Sequence, residues 1–516
     1  MPQRVVLCTG YEWRAASSPP ASAVQQRHYQ CSSLLRGVWY ARTLMSLFAR
    51  KPLAALLKDA EGSELKRTLS ATQLVALGIG AIIGAGLFSL TGIAAANYAG
   101  PAVVLSFVIA AVGCAFAGLC YSEFSSMIPV AGSAYTYAYA TMGELMAWII
   151  GWDLVLEYAV GAATVAVSWS RYVLSFFEDF GIRFPAQFAA SPFEPLTLPE
   201  SGTVINGIIN LPAMFIVVAI SLLLIVGIQE SARVNAVIVV IKVSVVVAFI
   251  VLGWGYIKPE NFTPFMPPNT GEWFSFGPSG VLRAAGLVFF AFIGFDAVST
   301  AAQEAKNPRR DMPIGIIGSL VVCTILYVLF AHVLTGIVPY LELGSAAPVA
   351  VAIDRTDYVW LRPAIKLAIV AGYTSVILVM LLGQSRVFFS MSRDRLLPKL
   401  FSDIHPRFRT PWRSNLLFMG LTGALAAFAP IQQLGEATSI GTLFAFVLVC
   451  IGILIMRRTH PDLPRPFKTP LVPLVPVLGI LFNVTLMLFL GWNQLGALDR
   501  MDGGRLVDLF QLQPQA

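Results

Sequence analysis

The chain has 516 residues, of which 57% are apolar and only 12% charged, against about 45–50% and about 25% in ordinary soluble domains, so a string of soluble globular units is excluded. The net charge of +7 sits in short Lys/Arg clusters between long apolar runs, with no basic face interleaved with aromatics, which excludes nucleic acid as a partner. The six cysteines form no C-x-x-C pair and no histidine stands at ligand spacing, so neither a disulfide framework nor a metal site is indicated.

In chain order, residues 1–71 read as a cytoplasmic N-terminal region. Within it, residues 1–44 mix Trp, Cys, Pro and Ser without helical periodicity and hold no apolar core of signal-peptide type, so they read as a non-native extension upstream of Met45. A spanning helix needs about 20 mainly apolar residues. Such runs fall at 72–97, 101–127, 143–170, 204–227, 234–257, 280–303, 313–338, 363–388, 414–431, 436–456 and 471–492. Only helices or closed barrels satisfy their backbone in lipid, and these runs lack the alternation of barrel strands. The expectation is an all-α integral membrane protein of about eleven spans, followed by a charged tail, 493–516, that does not span. The Lys/Arg bias sets the orientation. Lys306, Arg309 and Arg310, the Arg-rich 386–413 segment, and the bases from Arg457 to Lys468 all fall in connections on the side of the N-terminus, which is therefore expected inside.

The first span carries G-I-G-A-I-I-G-A-G-L-F from Gly78 to Phe88. Each glycine inside a helix costs up to ~1 kcal/mol relative to alanine, so Gly78, Gly80, Gly84 and Gly86 need another reason. Close helix packing is one, since Gly80 and Gly84 have G-x-x-x-G spacing; a break in the helix is another. The third span places Asp153 and Glu157 one turn apart on one face. Glu157, the deeper, reads as a proton acceptor, a contact for cationic side chains, or a protonated structural group. The fifth span places Lys242 nine residues beyond Arg233, ~13 Å along a helix and so near the centre of a ~30 Å core. A charge there is costly unless it is paired or snorkels to the surface. The sixth span, F-F-A-F-I-G-F-D from Phe289 to Asp296, has Gly294 to break the helix and Asp296 to cap the half that follows. Asn307-Pro308 and Pro313 are expected to bracket a rigid turn before the seventh span.

Five spans separate the two interruptions. An odd number of spans per repeat inverts the second copy, so helices 1–5 (72–257) and 6–10 (280–456) are expected to be inverted repeats, with helix 11 (471–492) outside them. Broken helices at corresponding positions of two halves mark a transport site near the centre of the bilayer. Unwound peptide units free N–H groups that favour an anion and C=O groups that attract a cation. An amino acid carries both charges a few ångströms apart, so a zwitterion suits these breaks.

The Gly78–Phe88 run, Y-S-E-F-S-S-M-I-P-V-A-G-S-A-Y-T-Y-A-Y from Tyr121 to Tyr139, F-I-G-F-D-A-V-S-T from Phe292 to Thr300, E-A-K-N-P-R-R-D-M-P-I-G-I from Glu304 to Ile316 and S-R-V-F-F-S-M-S-R-D from Ser385 to Asp394 together resemble the amino acid–polyamine–organocation superfamily. Within it the chain is most similar to bacterial permeases of the cationic amino acid transporter branch. The resemblance runs from near residue 60 to near residue 490 and departs from the family in lacking a twelfth span. It implies a five-plus-five inverted-repeat fold with broken helices 1 and 6, and secondary amino acid transport across a bacterial inner membrane. It further implies that the substrate carboxylate meets N–H groups around Gly84, Ala85 and Gly86, and the ammonium the carbonyls of Ile82, Phe290, Ala291 and Ile293. Ala85 stands where relatives often carry a hydroxyl residue, which leaves the carboxylate to the backbone. Lys242 would take the place of a sodium ion on the broken first helix and exchange a proton.

The expected function is proton-coupled symport of small or apolar amino acids by alternating access, with Lys242 and Glu157 as coupling residues; an amino acid exchanger and a cationic amino acid carrier are the alternatives. No nucleophile–base set or H-E-x-x-H motif points to an enzyme. No cofactor is expected, and the expected partners are the substrate, protons and the lipid bilayer.

Overall fold

The computed structural model describes residues 49–52, 67, 69–130, 133–197, 204–227, 232–271, 274–345, 347–358, 361–408 and 410–501. The expected extension 1–44 and residues 502–516 of the tail lie outside the described residues.

Helix α1 (Ala71–Ile82) begins at a capping box: the Gln73 N–H donates to Ser70 Oγ at 3.4 Å, and the Ser70 N–H to Gln73 Oε1 at 2.9 Å. It stops at Ile83, whose ψ of 107° leaves the helical region. Winding resumes at Gly86 in wide π-helical turns, with the short α2 (Thr91–Ala94) among them, and reaches Ala99. A turn at Gly100–Ala102 leads to α3 (Val103–Met127), followed by α4 (Ser133–Thr141) and α5 (Glu144–Glu178). A two-stranded antiparallel ribbon, β1 (Pro195–Thr197) and β2 (Val204–Asn206), precedes α6 (Leu211–Val226) and α7 (Ala232–Gly253). The second half repeats the pattern. Helix α8 (Gly277–Val288) ends in another break, after which come α9 (Pro308–Ile337), α10 (Pro348–Asp354), α11 (Leu361–Arg393), α12 (Trp412–Phe428), α13 (Ile431–Thr459) and α14 (Leu474–Met501).

Four local expectations are corrected. The run 204–227 begins in a strand, and its helix starts only at Leu211, where Asn210 Oδ1 accepts the Ala213 N–H at 3.1 Å. Pro308 and Pro313 do not bracket a turn: Pro308 opens α9, where its missing N–H has no intrahelical partner to lose, and Pro313 is carried inside the helix. Helix α4 was not foreseen. Helix α14 continues past 492 to Met501.

Seven helical stretches among the described residues are long and apolar enough to cross a membrane, and Ala71–Ile82, Leu211–Val226 and Leu474–Leu490 are shorter apolar helices. The first span is absent from the seven because its break divides it, leaving its second part continuous with α3 in the stretch Gly86–Met127. Large apolar side chains such as Val108, Leu222, Val251, Ile325 and Leu488 stand exposed on the bundle's outside. Bilayer hydrocarbon is the solvent that tolerates such a surface.

The packing pairs each half with the other. Helix α3 lies along α9, α5 along α11, and α6 along α12, while the two broken spans abut. Each of these is a contact between a span and its counterpart five spans later, which is the pattern of two halves related by a two-fold axis.

Candidate functional site

The two breaks meet at the centre of the bundle, and glycine permits the approach. Gly294 has φ +115°, a left-handed conformation that side chains resist, and a Cβ there would lie 2.9 Å from the Ala81 carbonyl carbon and oxygen. A Cβ on Gly86 would overlap the backbone of Ala291. The other two glycines that meet close neighbours do so as packing contacts: Gly78 faces Ser319 and Val298, and Gly80 faces Val239. Gly84 has slack, with Val376 in ordinary contact at 3.6 Å. Asp296 is the first residue of the half-helix Asp296–Ala301, not its cap; its Oδ1 reaches back across the break to accept the Gly294 N–H at 3.1 Å.

The carbonyls freed by unwinding have found donors. Lys242, 2% exposed, sends its ammonium from α7 to the Gly80 carbonyl at 2.9 Å and the Ile83 carbonyl at 3.3 Å. The Tyr327 hydroxyl of α9 lies 3.0 Å from the Ile82 carbonyl and 2.9 Å from the Ala291 carbonyl, sharing one proton between the two breaks. The Phe290 carbonyl accepts the Ile293 N–H at 3.2 Å. Three of the four carbonyls expected to meet a substrate ammonium are thus already engaged, and only their second lone pairs remain. Tyr327 gave no sequence signal, being one tyrosine in an apolar run.

A cavity of about 130 Å³ opens from the breaks. Ala81, Ile293 and Gly294 form its deep end. Val376, Met380, Gly383, Val387 and Ser390, one face of α11, lead away from it, opposite Tyr158 and Tyr135. Of the expected contacts, Ile293 lines this cavity; Ile82, Gly84, Ala85, Gly86, Phe290 and Ala291 are buried beside it but are not on its wall. The α11 face escaped sequence reading because that helix is apolar around most of its circumference. Arg386 belongs to this wall and not to a connection. At the mouth, the Tyr135 hydroxyl donates to Asp394 Oδ2 at 2.8 Å and the Lys51 ammonium lies 3.3 Å from Asp394 Oδ1.

Glu157 and Asp153 belong to α5 and Lys242 to α7, and no hydrogen bond or ion pair joins them among the described residues. Asp153 uses room left by Gly441, where a Cβ would come 2.9 Å from Oδ1. Glu157 is buried with Asp296 and Asp153 as its charged neighbours and Thr442 of α13 beside it.

A family model described as "Amino acid permease" matches residues 69–496. The branched-chain amino acid permease BcaP of Bacillus subtilis (strain 168) is 47% identical over 449 residues, 87% of this chain and 93% of that protein. The methylthioribose transporter of the same organism is 42% identical over 464 residues, 88% of this chain and 97% of that protein. The vacuolar cationic amino acid transporter 4 of Arabidopsis thaliana is 38% identical over 419 residues, 81% of this chain and 68% of that protein.

Proposed function

The chain belongs to the amino acid permease family of the amino acid–polyamine–organocation superfamily, and from that premise we propose that it imports branched-chain and other small apolar amino acids by proton symport. It is a multi-pass membrane transporter and not an enzyme. The observation that carries the substrate class is the cavity wall. Ile293, Val376, Val379 and Met380 offer it apolar surface, no carboxylate lines it among the described residues, and the one charged side chain on it, Arg386, is positive. A guanidinium or ammonium side chain finds no counter-charge there, and that penalty acts as discrimination. The likeness to a branched-chain permease supports the same class.

The N–H groups of Ala85 and Gly86, at the start of the resumed first helix, receive the substrate carboxylate, and the carbonyls near Ile293 its ammonium. In a bacterial inner membrane with the N-terminus and the Arg-rich end of α11 inside and eleven spans, the cavity faces the cytoplasm, and this conformation is the inward-open one. Lys242 couples transport to protons, with Glu157 as the second titratable group.

Proteoliposomes test the reading. Labelled leucine should accumulate when an inside-alkaline pH gradient is imposed, and valine should compete better than arginine or methylthioribose. Arginine or methylthioribose as the best competitor overturns the substrate class. Uptake indifferent to the gradient but driven by internal amino acid assigns exchange in place of symport.

A further inference from the structure

At the end of the bundle opposite the cavity, a buried polar cluster joins the far end of the first span, α8 and α13. Arg283 of α8 and Glu436 of α13, 7% and 4% exposed, form an ion pair of 3.3 Å. The Arg283 guanidinium also lies over the Tyr98 ring, 4.2 Å from its centre, and Tyr98 belongs to the far end of the first span. Gln432 closes the ring, its amide donating to the Tyr98 hydroxyl at 2.5 Å and to Glu436 Oε1 at 3.0 Å.

The cluster stands across the path a substrate must take from that side. Arg283 precedes the break at Phe289 by six residues, ~9 Å of helix. Between the cluster and the break is an apolar seal: Leu287 follows Arg283 by one turn, and a Cβ on Gly435 would come 3.0 Å from Leu90 and 3.6 Å from Leu287. Helix α13 otherwise packs along α5 and α14, so Glu436 and Gln432 tie the two broken spans to a different part of the bundle. An ion pair suits a contact that must part. Its Coulomb gain roughly offsets its desolvation, so the pair is stable in a dry closed state while water solvates both charges in an open one, and the two arrangements stay close in free energy.

We propose that Arg283 and Glu436, with Tyr98 and Gln432, form the outer gate of the permease, paired when the cavity is open to the inside and parted when the path opens outward. The inference rests on alternating access as the mode of transport. A cysteine at Ser439, fully buried and three residues beyond Glu436 on the same helical face, reports the opening. Right-side-out vesicles bearing Ser439→Cys are treated with a membrane-impermeant thiol reagent, with the chain lacking that cysteine as baseline. Glu436→Gln and Arg283→Met should each raise labelling about fivefold or more, the lower range of allosteric coupling, and the reversed pair Arg283→Glu/Glu436→Arg should return it toward the parent. Glu436→Gln keeps the side chain's shape and carries the test alone if Arg283→Met does not insert. Unchanged labelling in the inserted single variants overturns the gate, and labelling of the reversed pair as high as in the singles overturns the ion-pair assignment. The readout needs neither substrate nor proton. A change in labelling on adding leucine separately tests the transport reading, whose failure leaves the gate result standing.

Discussion

A carbonyl at a helix break inside a bilayer has no water to turn to, so the donors that reach it decide whether the break is a site or a defect. Tyr327 serves two such carbonyls, Ile82 and Ala291, with one hydroxyl. Tyr327→Phe removes that donor and leaves both acceptors buried, a loss of about 1–3 kcal/mol for an unsatisfied group. The purified variant should melt several degrees lower and transport more slowly; an unchanged midpoint and rate would mean that water takes the hydroxyl's place. The glycines offer a sharper contrast. Gly84→Ala adds a methyl in ordinary contact with Val376, whereas Gly86→Ala drives one into the Ala291 backbone and parts the two breaks. Leucine uptake should survive the first change and fail in the second, and equal uptake by both variants would remove the packing argument.

At the scale of elements, legibility followed the strength of the local conflict. The breaks could be read because glycines crowded into an apolar helix oppose its propensity, and Lys242 because a charge deep in a span opposes its solvent. Helix α4 has nine residues of alternating tyrosine and small side chains, too short and too polar to register as a span. The ribbon strand β2 hid at the start of an apolar run that Asn206, Gly207 and Asn210 interrupt before α6 begins. The cavity-facing side of α11 opposed nothing: Val376, Val379 and Met380 differ little from the residues on its other faces, and only the placement of the breaks singles them out. That face yields a prediction of its own. Val376→Asp sets a carboxylate on a wall that has none, so arginine should gain on leucine in competition by about tenfold, equivalent to ~1.4 kcal/mol. No gain in a variant that still transports would show that the α11 face does not meet the substrate side chain.

Across the whole molecule, Lys242 occupies a seam. It belongs to α7 in the first half and bonds the first break, while its stem passes α11 of the second half so closely that a Cβ on Gly372 would lie 3.0 Å from Cε. Any rocking of one half against the other must change these contacts. A protonated ammonium makes charge-assisted bonds to the Gly80 and Ile83 carbonyls, about twice as strong as those of a neutral amine, so gain or loss of a proton shifts the balance between the arrangements that offer those carbonyls and those that do not. Lys242→Ala should therefore abolish leucine accumulation driven by a pH gradient, yet retain exchange of external for internal leucine, because the α11 wall and the N–H groups of the break are untouched. Lys242→Arg should also lose the gradient response, since guanidinium stays charged and its planar fork does not reproduce a point donor between two carbonyls. Both variants are compared with the parent in proteoliposomes, with net uptake followed against pH and exchange followed at fixed pH. Equal gradient-driven accumulation by the parent and Lys242→Ala would assign Lys242 to holding the break together and turn the search for the coupling proton to Glu157, buried beside Asp296 and Asp153.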